Sequence, residues 1–321
     1  MPITTLVTGA NGFLGSALVR RLSTEGDIKA VSAVRRSTWH PDTDAGSVVV
    51  GSIDGETDWH GALLHVDVVI HTAARAHVMK DHHASSESYR RINAQGSINL
   101  AMQAASHGVQ RFNYISSLKV NGERTPFDHA FTADDLPLPQ DPYAKSKLEA
   151  EETIKRICVE HGMEVVIVRP PLIYGPGVQA NFQTMMRWLY RGIPLPFGAI
   201  HNLRSFIAID NIIDFLAITV RCPAAANQVF LVSDGEDIST TQLLTVLGNA
   251  LEKPARLFSL SRSLMRIGTA IIGNANIERL LFESLRADIT KTKNLLNWKP
   301  PISVEEGIFR AANGFLIETR V

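Results

Sequence analysis

The stretch Ile3-Thr-Thr-Leu-Val7-Thr8-Gly9-Ala-Asn-Gly12-Phe13-Leu14-Gly15 decides the fold. Residues 3–7 form an extended, β-branched run, the glycines follow, and a helical pattern comes next, which reads as strand, glycine-rich turn, helix. Gly9 suits the tight turn, Gly12 lets the backbone approach a pyrophosphate, and Gly15 lets the helix pack closely on the sheet. The first helical residues, Phe13 and Leu14, then turn the helix N-terminus toward the anion. The spacing is GxxGxxG rather than GxGxxG, and such a turn alone also fits a plain strand–helix connection.

Strand candidates at 29–34, 48–50, 66–71, 111–116 and 164–169 continue from this start. They alternate with helical patterns after Gly12, over 89–107 and over 143–161. That alternation predicts an α/β fold with a parallel, doubly wound sheet. Ligands of such sheets bind beyond the carboxyl ends of the strands, where Gly9, Arg35, His71, Ser117 and Pro170 fall. The run Asp141-Pro-Tyr143-Ala-Lys-Ser-Lys147 adds chemistry, because residues four apart share a helix face. There an ammonium beside a phenol favours its ionised form, making a proton shuttle for an alcohol or ketone. A phenol cannot move a hydride, so the pair requires a redox cofactor.

At this point a resemblance emerges. TGxxGxxG, the His71-Thr72-Ala73-Ala74 stretch, Asn93 in Asn-Ala-Gln-Gly96, the Ser116-Ser117 pair and YxxxK stand in order over nearly the whole chain. The sequence resembles the extended short-chain dehydrogenases/reductases of the nucleotide-sugar epimerase, dehydratase and reductase group. The resemblance implies a Rossmann-type sheet domain over 1–175, with 204–233 returning to it. A smaller mixed α/β lobe for substrate would comprise 176–203 and 234–321, and the assembly would be a homodimer.

It also implies roles. Tyr143 would be the acid or base, Lys147 would hold the cofactor ribose, and Ser117 would bond the reacting oxygen, with Val120-Asn-Gly122 fixing its register. Thr72, Ala73 and Ala74 would line the adenine and ribose side, Ser116 and Pro170 would approach the nicotinamide end, and Asn93 would order the helix and strand beneath the site. Ser52, beside Ile53, stands where relatives often carry an aspartate for the adenine amino group. Asn181, Arg204 and Arg286 match positions that grip the diphosphate of a nucleotide-sugar, arginine being suited to phosphate by its bidentate fork. Phe197 resembles the residue lying against the uracil.

The chain departs from the NAD pattern at Arg35 and Arg36, which end the second strand where NAD-binding proteins tend to place Asp or Glu. An arginine there can neutralise the extra phosphate of NADP; a solvated basic pair at a strand end is the plainer alternative. The leading expectation is therefore an NADP-dependent reductase of a UDP-linked 4-keto-6-deoxy-HexNAc in surface polysaccharide biosynthesis. An NAD-dependent UDP-hexose or UDP-HexNAc 4-epimerase is the rival. A dehydratase is disfavoured for want of an acid–base carboxylate pair in register with Ser117, and a non-catalytic nucleotide-binding protein would have no use for the full serine–tyrosine–lysine set.

The composition bounds these readings. With 321 residues, 45% hydrophobic, the chain can bury a full core. Lysine plus arginine equals aspartate plus glutamate at 32 each, so no net field draws it to nucleic acid or an anionic membrane. No uninterrupted apolar run approaches the roughly 18–20 residues of a membrane span, and the first strand begins at Ile3, so a cytoplasmic location is expected. Cys158 and Cys222 offer no disulfide framework, and no histidine array, His82-His83 included, makes a metal motif. The apolar stretch 265–272 with 277–282 is read as helices packing within the small lobe. Further helices are expected at 182–191, 211–221, 240–251, 277–284 and 304–317, with reciprocal caps Ser239/Gln242 and Ser303/Glu306. The long segment 121–142 should be a loop beside the active site.

Overall fold

The structure, a computed structural model, describes residues 1–36, 46–75, 86–260 and 282–320. Strands β1 (Ile3–Thr8), β2 (Ile28–Val34), β3 (Gly46–Val49), β4 (Val68–His71), β5 (Arg111–Ile115), β6 (Glu164–Arg169) and β9 (Gln228–Leu231) form one sheet in the order β3-β2-β1-β4-β5-β6-β9. All its pairings are parallel. The order reverses between β1 and β4, and this switch point places the turn after β1 beside the residues after β4.

Both faces of the sheet are covered, as a parallel sheet requires. On one face α1 (Phe13–Ser23) and α7 (Ile209–Arg221) bury Leu18, Val19, Leu22, Ile212, Phe215 and Val220 against β1, β2 and β6. On the other, α4 (Ser97–Ser106) and α5 (Pro142–His161) bury Leu100, Ala104, Ala150, Ile154 and Cys158. Cys158 is an inert core thiol, pushed up to about 12 by burial, while Cys222 is only half-buried. The helix expected over 89–107 is in three pieces: α3 (Ser86–Tyr89), a π-helical stretch Arg90–Gly96 carrying Asn93, and α4.

A second sheet, β10-β8-β7, comprises β7 (Leu172–Tyr174), β8 (Arg204–Ala208) and β10 (Asp237–Ile238). Around it α6 (Ala180–Tyr190), α8 (Thr240–Ala250) and α10 (Val304–Arg320) build a separate core of Phe182, Met186, Leu244, Leu247, Ile308 and Phe315. Of the segment 204–233, expected to return to the large sheet, β9 pairs in that sheet and α7 packs on its face, while β8 pairs with β7 and β10 and lends Ile207 to the core of the large sheet. α9 (Thr290–Leu296) lies against β9.

Ser239 makes the full reciprocal cap, accepting from Gln242 N at 3.1 Å while Gln242 Oε1 accepts from Ser239 N at 2.8 Å. Ser303 makes only half of one. It accepts from Glu306 N at 3.2 Å, but the Glu306 carboxylate turns to Arg310 at 2.7 Å. His82-His83, 265–272 and most of the helix expected at 277–284 lie outside the described residues. Among the described residues, no helix is long and apolar enough to cross a membrane.

Candidate active site

Gly9 has φ +64°, and a Cβ there would lie 2.9 Å from Ala73 Cα, so the turn after β1 and the strand end of β4 touch through bare backbone. A Cβ on Gly15 would overlap the Gly9 carbonyl and come 2.9 Å from Thr72 Oγ1. Gly12 is the N-cap of α1 and offers no side chain to it. The first N–H groups of that helix, from Phe13, Leu14 and Gly15, lack intrahelical acceptors and make a ready anion cradle.

Beneath the turn lies a buried relay. Ser97 Oγ donates to Asn93 O at 2.7 Å, so His71 Nε2, 2.9 Å from the same oxygen, is the donor in that contact. His71 Nδ1 then accepts from Thr8 Oγ1 at 2.7 Å, and Thr8 Oγ1 accepts from Ala73 N at 3.3 Å. Thr72 Oγ1 completes the link by donating to Thr8 O at 2.6 Å. Burial foremost, then the Lys147 charge, lowers His71 to about 3, in keeping with a neutral ring that both accepts and donates. The relay fixes the backbone around Thr72 and Ala73; Ala74 is exposed.

Ser117, Tyr143 and Lys147 meet at the ends of β5 and α5. Asp141 caps α5 by accepting from Ala144 N at 2.6 Å, and Pro142 follows in the first turn. Ser117 caps the short 3₁₀ turn Leu118–Val120, accepting from Lys119 N at 3.2 Å, and its side chain lies beside Tyr143 and favours the ionised phenol. Ser116 Oγ is buried with no hydrogen-bond partner among the described residues, a polar atom available to a bound group.

The expectation that Lys147 lowers the Tyr143 phenol is not met by the chain's own groups. Burial, reinforced by the Asp141 carboxylate, pushes Tyr143 up to about 12. The Lys147 ammonium donates to Ile115 O at 2.7 Å and lies 4.5 Å from the centre of the Tyr114 ring. Burial lowers it to about 7, opposed by Glu151. Glu151, one turn beyond Lys147, is fully buried and pairs with Arg169 Nη2 at 2.6 Å; Arg169 Nη1 reaches Asn121 Oδ1 at 3.1 Å. Sequence reading missed this pair and the His71 relay. The i, i+4 spacing of Tyr143, Lys147 and Glu151 was the available signal for the first.

Asn93 accepts from Arg75 N at 2.8 Å and donates to Ser146 Oγ at 3.2 Å, joining the segment after β4 to α5. Pro170 is buried, its carbonyl accepting from Leu118 N at 2.8 Å. Ser52 is exposed and Ile53 packs beside Gly96, where a Cβ would come 2.8 Å from Ile53 Cγ2. Arg35 and Arg36 are exposed just past β2.

On the substrate side, Arg204 opens β8 and donates to Glu283 O at 2.9 Å; burial lowers its guanidinium to about 10. Arg286 lies on the segment paired with β8 and is held by Asp237 at 2.7 Å and Phe127 O at 2.9 Å. Arg286 is thus already matched by a carboxylate, which the sequence register did not reveal. Asn181 is half-buried at the start of α6, and Phe197 is half-buried against the small-lobe core. Residues 121–141 form a loop that ends one residue before the expected bound, where Pro142 opens α5; it is pinned to the C-terminal segment by Thr125 N to Ser284 O at 2.8 Å and Phe131 N to Arg286 O at 2.9 Å. Among the described residues, no group of three or more His, Cys, Asp or Glu is placed to hold a metal ion.

Comparison with known proteins matches residues 5–232 to the NAD dependent epimerase/dehydratase family. The chain is 43% identical over 319 residues to a UDP-glucose 4-epimerase of Vibrio cholerae, covering 98% of this chain and 96% of that one. It is 29% identical over 330 residues to a 2-alkyl-3-oxoalkanoate reductase of Stenotrophomonas maltophilia, covering 95% and 97%. Among solved structures, a UDP-glucuronic acid 4-epimerase from Bacillus cereus in complex with NAD superposes with a TM-score of 0.79. At 23% identity, over 98% of this chain and 96% of that one, it shares the fold.

Proposed function

The chain belongs to the NAD dependent epimerase/dehydratase family, and from that premise we propose that it is an NAD-dependent 4-epimerase of a UDP-linked hexose or N-acetylhexosamine. The observation that carries this reading is the 43% identity, over 98% of this chain, to the Vibrio cholerae epimerase. The unpartnered Ser116 hydroxyl and the glycine cradle at α1 fit a dinucleotide. The reductase expected from Arg35 and Arg36 gives way, since an exposed basic pair at a strand end is equally well solvated.

Gly9, Gly12, Gly15 and Ser116 would hold NAD, which when bound would supply reversible oxidation at sugar C4. Ser117 and Tyr143 would hold the C4 oxygen, Tyr143 taking its proton during oxidation and restoring it during reduction. A phenol pushed up to about 12 is a ready donor in the second half. In the first half it needs added positive charge nearby to ionise. Lys147, held by the Ile115 carbonyl, would keep the ribose and phenol in place.

The test is cofactor traffic together with product. Purified protein that releases NAD on denaturation and interconverts UDP-glucose and UDP-galactose, or their N-acetyl forms, without added cofactor supports the epimerase. The reductase is the second reading, favoured by the placement of Arg35 and Arg36. Protein that retains no NAD and consumes NADPH stoichiometrically with a UDP-4-keto sugar would establish it instead.

A further inference from the structure

Lys119 and Asp141 stand two residues from Ser117 and Tyr143 respectively, and they are bonded to each other. Lys119 Nζ reaches Asp141 Oδ2 at 2.6 Å, the other carboxylate oxygen accepts from Ala144 N at 2.6 Å, and Ser117 Oγ accepts from Lys119 N at 3.2 Å. A continuous path therefore runs from the serine turn, through one ion pair, to the first turn of the helix that carries Tyr143. It also closes the base of the loop 121–141, beside the bond from Leu138 N to Val120 O at 3.0 Å.

We propose that Lys119 and Asp141 form a strap whose two residues are positioning residues for the proton transfer at Tyr143, holding the serine and tyrosine hydroxyls in register and balancing the charge beside the phenol. The proposal rests on the reading of Tyr143 as the proton-transfer group. A carboxylate near a phenol opposes its ionisation, and an ammonium on that carboxylate relieves the opposition. Among the described residues, the groups facing Tyr143 come from its own helix and from three neighbouring segments. Asp141 and Lys147 come from its own helix, Tyr89 stacks edge-on from α3 with ring centres 6.0 Å apart, Ser117 faces it after β5, and Tyr114 lies beyond Lys147. Glu123 approaches Lys119 at 3.9 Å and shares its charge. The Asp141 carboxylate helps to hold the Tyr143 phenol high, and the Lys119 ammonium bonded to that carboxylate at 2.6 Å offsets part of its charge.

The decisive measurement is the tyrosinate absorbance titration of the NAD-loaded protein, with Tyr143→Phe as the blank that isolates this one phenol. Lys119→Met should move the Tyr143 titration upward by about 0.5–1 pH unit, because a positive charge on the carboxylate is removed. Asp141→Asn keeps a capping oxygen for Ala144 N and should move it downward by a similar amount. The double variant should fall between the two, and Lys119→Arg should restore the wild-type value. In epimerisation assays, the pH limb of kcat assigned to Tyr143 should follow the same directions, with KM for the sugar nucleotide changed less than twofold. Shifts of the same sign in both single variants, or none in either, overturn the strap. If wild-type protein shows no epimerisation at any pH, the functional reading fails while the absorbance titration still decides the strap.

Discussion

Tyr143 illustrates how burial and neighbouring charge oppose each other at one atom. Its phenol stands near 12 in the field of the chain's own groups, so it is a proton donor first. Tyr143→Phe should keep the fold and NAD binding but lower turnover by about 10²–10⁴-fold, the usual share of general acid–base catalysis. Single-turnover assays with retained NAD measure this, and near-normal rates would remove Tyr143 from the mechanism. His71 is the opposite kind of residue, buried and kept neutral. It takes its proton at about 3 in the fold against 6.5 when free, so between those values the unfolded chain binds the extra proton. Stability is therefore full above about pH 6.5 and falls as pH drops, by about 3 kcal/mol at pH 4. His71→Asn should lose about 1–3 kcal/mol at neutral pH through its broken relay, yet show a flatter decline in urea midpoint from pH 6.5 to 4. An unchanged slope would mean that another group titrates.

At the scale of elements, the glycine turn is rigid because backbone meets backbone. A Cβ on Gly15 would strike the Gly9 carbonyl, which cannot swing away as a flexible side chain would, and Thr72 Oγ1 blocks the alternative. Gly15→Ala should thus displace α1 from the sheet, weakening NAD binding at least tenfold and costing about 1–3 kcal/mol of stability. Calorimetric titration of NAD after stripping, with a parallel urea melt, checks both, and unaltered affinity would show that the turn tolerates the shift. This element was legible in the sequence because its signal is local: a β-branched strand, glycines at fixed spacing and an apolar-periodic helix. Ser117, Tyr143 and Lys147 were legible for the same reason. β7, β8, β9 and β10 were not, being two to five residues long and set among prolines and helices, where periodicity has no room to show. Neither were the Glu151–Arg169 pair, the Asp237 partner of Arg286 and the His71 relay, since each depends on residues brought together only by the fold.

Across the whole molecule, the large sheet and the small lobe are tied by one buried carboxylate. Asp234 follows β9. Its Oδ1 accepts from Ala208 N and Asn211 Nδ2, both at 2.7 Å, and its Oδ2 accepts from the Tyr174 hydroxyl at 2.8 Å. Asn211 in turn exchanges two bonds with Ile302, ahead of α10, and so links β7, β8, α7 and the C-terminal helix. Burial pushes Asp234 up to about 6 despite these donors. A carboxyl raised in the fold contributes stability that is complete below its free value of 3.8 and is lost as pH rises through 6, so its charge works against folding at neutral pH. The geometry allows an amide in its place. The oxygen of Asn would keep the two donors now on Oδ1, and its NH₂ could donate to the Tyr174 oxygen, whose own proton has the Val304 carbonyl at 3.1 Å. Asp234→Asn should therefore be stabilising at pH 7.5 by about 1–2 kcal/mol, with the gain shrinking toward zero by pH 4. Asp234→Ala strands the Ala208 and Asn211 donors, while Tyr174 keeps the Val304 carbonyl, and should cost about 2–4 kcal/mol at both values. Urea unfolding of the three proteins at the two pH values separates these outcomes; an Asn variant weaker than wild type at pH 7.5 would mean that the ionised carboxylate is a net stabilising link between the lobes.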